Sequence, residues 1–125
     1  MYRSSSHPDR GSALLEVMVL GAAMVVMVLA VSVAAGRIIA AGEAAREAAR
    51  TGSVWGARYG DADLAERTAA KQARPGSTVT ARRRGDQLVV TVEETIELLG
   101  VPGAPTRRIS HTERMDIAPY RSNRG

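Results

Sequence analysis

The chain predicts an α+β architecture: a long N-terminal transmembrane helix continuing into an exported helix, followed by a short helix and a small antiparallel β-sheet. Three observations carry this expectation. From Ser12 to Gly36 the only charged side chain is Glu16. Between Ala41 and Arg50 alanines and charged residues repeat with helical period. Beyond Gly76 the period falls to two, the signature of strands with one buried face.

The apolar run comes first. As a helix rising about 1.5 Å per residue it reaches roughly 35 Å, enough to cross a hydrocarbon core of about 30 Å. A buried core helix of this kind would need apolar partners around its whole circumference. The rest of the chain, in 125 residues of which 24% are charged, is too small and polar to supply them. Arg3 and Arg10 precede the run against Asp9, which favours a cytoplasmic N-terminus and an exported C-terminal domain, although Arg37, Arg46 and Arg50 on the far side oppose the bias. The absence of cysteine suits an exported domain without disulfides. A net charge of +4, carried by seventeen basic residues of which only Lys71 is lysine, speaks for solubility rather than for an anionic partner.

Two processing schemes fit the N-terminus. An ordinary secretory signal would be cut after a small-x-small site such as Val33-Ala34-Ala35, releasing a secreted globular binding domain that starts near Gly36. That scheme leaves two features unused: an apolar run longer than the usual ~7–15 residues, and an acid at its mouth. A carboxylate there is expensive in a bilayer and asks for a function.

Arg10-Gly11, followed by Ser12-Ala13-Leu14-Leu15-Glu16, resembles the type IV prepilin signature, in which a peptidase cuts after a glycine preceded by a basic residue and leaves a glutamate at the fifth mature position. The resemblance implies processing between Gly11 and Ser12. It also implies that Glu16 neutralises the new α-amine of a neighbouring subunit, where an unpaired charge would be costly. The next segment, Gly42-Glu43-Ala44-Ala45-Arg46-Glu47-Ala48-Ala49-Arg50, is similar to the stretch that follows the membrane helix in TadE-like proteins, minor pilin-like components of tight-adherence (Tad/Flp) pilus systems. The likeness covers about residues 10–52, with Val17 where an aromatic often follows the glutamate.

Within 43–50, Glu43, Arg46, Glu47 and Arg50 fall on one helical stripe and alanines on the other, so the helix is expected to continue out of the membrane. Its i,i+3 charge pairs contribute only about 0.2–0.5 kcal/mol each. The alanine side, with Ala45, Ala48 and Ala49, is either an assembly face or simply alanine-rich composition. Ala30 with Ala34 and Ser32 with Gly36 form small-xxx-small pairs inside the span, which permit close helix approach.

Thr51-Gly52-Ser53 is expected to break this helix and Tyr59-Gly60-Asp61 to form a second break. Asp63 then reads as the N-cap of a short amphipathic helix running to about Arg74 and ended by Pro75-Gly76. Trp55 and Tyr59, four residues apart, are expected to seal a small core, the alternative being a place near the membrane interface. Val79 with Ala81 marks a first strand, and Leu88, Val90, Val92, Ile96 and Leu98 a second. Arg84-Gly85-Asp86 supplies the hairpin turn between them. A loop at Pro102–Pro105 leads to a third strand with Ile109, Met115 and Ile117 on the same face as His111 and Glu113. The expected division is a leader at 1–11, a transmembrane and extended helix at 12–52, an exported domain at 53–120 and a disordered tail at 121–125.

No catalytic chemistry is legible. Arg84-Gly85-Asp86 is turn chemistry before it is an integrin-type tripeptide. Arg82-Arg83-Arg84 and Arg107-Arg108 lack the interleaved aromatics of a nucleic-acid surface. His7 and His111 have no metal-ligand spacing. The expectation is therefore a structural, non-enzymatic protein without cofactor. Its expected partners are membrane lipid, other pilin-like subunits, a prepilin peptidase and a pilus assembly platform, and nucleic acid is not among them. It would sit in the cell membrane or in an extracellular pilus that serves adhesion.

Overall fold

A computed structural model describes residues 9–118; most of the leader and the expected tail at 121–125 lie outside the described residues. The fold is α+β. Helix α1 (Asp9–Tyr59) is followed by α2 (Ala62–Gln72) and by strands β1 (Thr78–Arg84), β2 (Gln87–Glu97) and β3 (Thr106–Asp116), which form an antiparallel sheet in the order β1-β2-β3. Both helices pack on one face of this meander.

The first correction to the sequence reading is that α1 does not break at Thr51-Gly52-Ser53. It runs unbroken for 51 residues to Tyr59, so the expected boundary between helix and domain at residue 52 falls inside a continuous helix. Glycine in a helix interior costs about 1 kcal/mol relative to alanine. Here tertiary contact offsets that cost. A Cβ on Gly52 would stand 2.7 Å from the Ala65 carbonyl oxygen and 2.7 Å from the Ala69 Cβ, and one on Gly56 would collide with the Ala65 and Leu88 side chains. The two glycines therefore let α2 lie directly on the α1 backbone. Ser53, fully buried, donates its Oγ to the Arg50 carbonyl at 2.8 Å and needs no other partner.

The N-cap of α2 is Asp61, two residues earlier than expected. Its carboxylate accepts the backbone N–H groups of Asp63 (2.9 Å) and Leu64 (3.2 Å), two donors that the helix itself leaves open. With Asp61 already outside α1, the link between the helices shrinks to Gly60-Asp61 and the pair forms a tight antiparallel hairpin. Trp55 and Tyr59 do not seal the core. They stand 44% and 61% exposed and stack on one another with ring centroids 6.2 Å apart, because the glycine-lined side of α1 is the side that faces inward.

The core is built from small helical residues against branched strand residues. Ala45, Ala48, Ala49 and Ala57 of α1 and Ala65 and Ala69 of α2 meet Leu88, Val90 and Val92 of β2. The alternation along β2 places Leu88, Val90, Val92, Glu94 and Ile96 on the inner face. Turn Gly85-Asp86 joins β1 to β2 with Arg84 opposite Gln87, as the hairpin pattern predicts.

Three contacts fix the direction of the sheet along α1. Gly56 lies against Leu88, the Ala118 N–H donates to the Ala57 carbonyl at 3.3 Å, and Arg37 Nη1 donates to the Glu97 carbonyl at 3.1 Å. Strand β2 thus runs antiparallel to α1. The lengths agree: about 28 Å of helix from Arg37 to Gly56 matches about 30 Å of strand from Leu88 to Glu97. The β1–β2 turn lies at the far end of the domain, and the β2–β3 loop lies beside the apolar run.

Candidate membrane and assembly surface

Among the described residues, no other element packs on the large apolar side chains of α1 before Val33. From Leu14 to Val31 its large apolar side chains are 59–71% exposed, as far as a helix exposes them, since each still touches its own neighbours. The described chain thus has one helix long and apolar enough to cross a membrane, near the N-terminus, with none of its apolar window buried. A core helix of a soluble domain would bury that surface. Here about 25 cal/mol for each Å² of it remains to be gained from an apolar environment.

Gly11 and Ser12 lie in the first turns of α1, which begins at Asp9, and a Cβ at Gly11 would meet nothing within 4 Å. No other described element packs against the glycine that precedes the bond expected to be cut. Glu16 is exposed and, among the described residues, has no ion-pair or hydrogen-bond partner. Ala34 follows Glu16 by eighteen residues, five turns at about 3.6 residues per turn, so the two share one helix face. That face continues through Ile38, half buried, into Ala41 and Ala45, buried beneath the domain. Glu16 therefore projects from the side of the helix that carries the folded domain.

The four residues expected to form small-xxx-small pairs separate onto two faces. Ala30 and Ala34 belong to the domain-bearing face and are half buried. Ser32 and Gly36 lie about 160° around the helix from Ala34, on either side of the opposite face, and are exposed. The Ser32 hydroxyl donates to the Val28 carbonyl at 2.8 Å, so it is satisfied within its own helix. Gly21 and Gly36 both open onto free space, and a shallow apolar depression over Gly21 is lined by Met24, Val25, Val28 and Leu29. No known family model, curated protein or solved structure matches this chain.

Ala45, Ala48 and Ala49 require the second correction. They are 0–1% exposed and buried in the core of their own domain against α2 and β2, so they cannot at the same time receive the helix of another subunit. The stripe of small residues was legible in the sequence; its occupant was not. Charged residues Glu43, Arg46, Glu47 and Arg50 occupy the opposite, exposed side.

Sequence reasoning also missed Glu94. It sits on the inward face of β2 with its side chain 8% exposed and lies 3.5 Å from Arg74 Nη1, just beyond α2. The period-two pattern places residue 94 between Val92 and Ile96, and that parity was the available signal. His111 and Glu113, neighbours on the inward side of β3, meet at 3.2 Å between Nε2 and Oε2. Among the described residues no three of His, Cys, Asp and Glu come together as metal ligands.

Proposed function

We propose that this protein is a single-pass, pilin-like membrane protein of the kind that TadE-like minor pilins represent, with its N-terminus in the cytoplasm and its α+β domain outside. The observation that carries the reading is the bare apolar half of α1, continuous with the helix that forms the domain core and headed by an acid without a partner among the described residues. Such a helix can hold the domain at a membrane and later pack among other pilin-like helices in a pilus or its assembly platform. Its work is structural, with no catalytic step and no cofactor.

In this reading a prepilin peptidase cuts after Gly11, and the amine created on one subunit meets Glu16 of another. Placing that pair in an apolar setting satisfies both charges, whereas either alone would cost several kcal/mol. The decisive experiment expresses the full chain with a matched prepilin peptidase and measures the mature mass in the membrane fraction. A chain beginning at Ser12 is expected; a chain beginning near Gly36 would replace the reading with a secreted binding domain. One observation favours that second reading: every core residue lies beyond Gly36, so the domain would survive the cut. Glu16→Ala is expected to leave membrane insertion intact and to lower co-purification with partner pilins severalfold. Undiminished co-purification would remove the assembly role of Glu16.

A further inference from the structure

The β2–β3 loop, residues 98–105, reads Leu-Leu-Gly-Val-Pro-Gly-Ala-Pro and contains no polar side chain. Surface loops are ordinarily polar, because water is their only neighbour. Here Leu99 is 42% exposed and Val101 58%. The loop is also fastened by its own bonds. The Leu98 N–H donates to the Pro105 carbonyl at 3.0 Å, and the Ala104 N–H to the Val101 carbonyl at 3.0 Å. The second bond closes a turn with Pro102 and Gly103 at its centre, and Gly103 has φ +82°, the arrangement of a type II turn that glycine alone adopts without strain.

Its position is set by Arg37, the first residue after the apolar run. The Arg37 guanidinium donates to the Glu97 carbonyl and packs against Gly100. Side chains on a helix lean toward its N-terminus, so Arg37 reaches back toward the apolar run and the loop stands level with its last turn. Exposure along the helix agrees. Val33 is 48% exposed, less than any large apolar side chain from Leu14 to Val31. At the other foot of the loop Arg107 and Arg108 are both exposed. An apolar tip flanked by three guanidinium groups therefore sits beside the end of the candidate span.

We propose that this loop is a second membrane contact, in which Leu99, Val101 and Pro102 enter the headgroup–acyl boundary of the leaflet nearest the domain while Arg37, Arg107 and Arg108 meet anionic headgroups. The proposal rests on the membrane reading of α1. Continuity with the span selects lipid as the occupant, and the chemistry is that of an interfacial anchor, apolar below and cationic above. A helix alone leaves its domain free to rotate about the helix axis. A second contact fixes which face of the domain meets the membrane and which face is offered to other subunits.

The cysteine-free chain allows single labels. Val101→Cys, Val31→Cys in the span and Asp86→Cys at the far turn are each labelled with an environment-sensitive fluorophore on the full-length protein. The proteins are reconstituted in phosphatidylcholine–phosphatidylglycerol vesicles containing lipids spin-labelled at a shallow or a deep acyl position. Position 101 is expected to be quenched by the shallow label severalfold more than position 86, and position 31 by the deep label. Quenching at 31 without quenching at 101 would overturn the loop proposal and leave the span intact. A blue shift at 101 that ignores the spin-labelled lipids would also overturn it, by assigning the loop to a protein neighbour. Absence of quenching at 31 would overturn the membrane reading itself, and the loop proposal with it.

Discussion

The two halves of α1 are one helix in two surroundings. From Leu14 to Val31 it carries large apolar side chains on all sides, 59–71% exposed among the described residues; from residue 41 to residue 59 it carries alanine, glycine and serine inward and charge outward, and forms the floor of a core. Glycine makes the contrast plainest. Gly11, Gly21 and Gly36 have no packed neighbour within 4 Å of where a Cβ would be, whereas Gly52 and Gly56, where α2 and β2 cross the helix, leave no room for one. Helix formation is therefore not what distinguishes the halves. The distinction lies in what the small residues are for: in the domain half they bring α2 and β2 against the backbone, and in the apolar half they leave the surface open to whatever surrounds it.

That contrast breaks most visibly if a side chain is added to each half in turn. Gly56→Leu is expected to abolish the domain, because overpacking typically costs about 1–3 kcal/mol and here the added atoms meet both Ala65 and Leu88 in a small core. Gly21→Leu should leave the domain's thermal transition in detergent unchanged. Equal transitions for the two variants would mean that the close α1–α2 approach does not hold the domain together.

The polar contacts of the domain half sharpen the comparison on a smaller scale. Arg74→Ala leaves the Glu94 carboxylate, 8% exposed, without its partner and should destabilise by about 1–3 kcal/mol. Glu94→Leu removes the charge as well and should be nearly neutral or stabilising. Denaturant melts of the two variants check this order; if Glu94→Leu is the worse, the pair holds more than a charge that burial requires it to satisfy. Smallest of all are Arg46→Ala and Glu47→Ala on the exposed stripe, where the described residues close no ion pair and each change is expected to cost at most about 0.2–0.5 kcal/mol. A drop well above that range would mean that the charged side is packed.

Much of the fold was legible because its signals are local. The apolar run, the parity of Leu88, Val90 and Val92, the Gly85-Asp86 turn and the stop at Pro75-Gly76 each depend on backbone chemistry within a few residues. The misreadings share a cause. In one dimension Gly52 looks like a helix breaker, Asp63 like a cap, Ala45, Ala48 and Ala49 like an assembly face and Trp55 like a core residue, yet the role of each depends on what lies opposite. A glycine's helix penalty of about 1 kcal/mol is smaller than the gain from a close helix crossing, so the distant Ala65 and Ala69 outweighed the local preference.

By itself the sequence determined that one segment is apolar enough to leave water, that an acid heads it, and that two helices precede a three-stranded meander, since composition and period act along the chain. Only the tertiary structure decided which face of α1 is inside, that the alanine stripe is already occupied, and that Arg37 meets Glu97 and Gly100 across sixty residues. Those outcomes depend on which surfaces are brought together, and a small residue reads the same along the chain whether its neighbour is another helix, a strand or lipid.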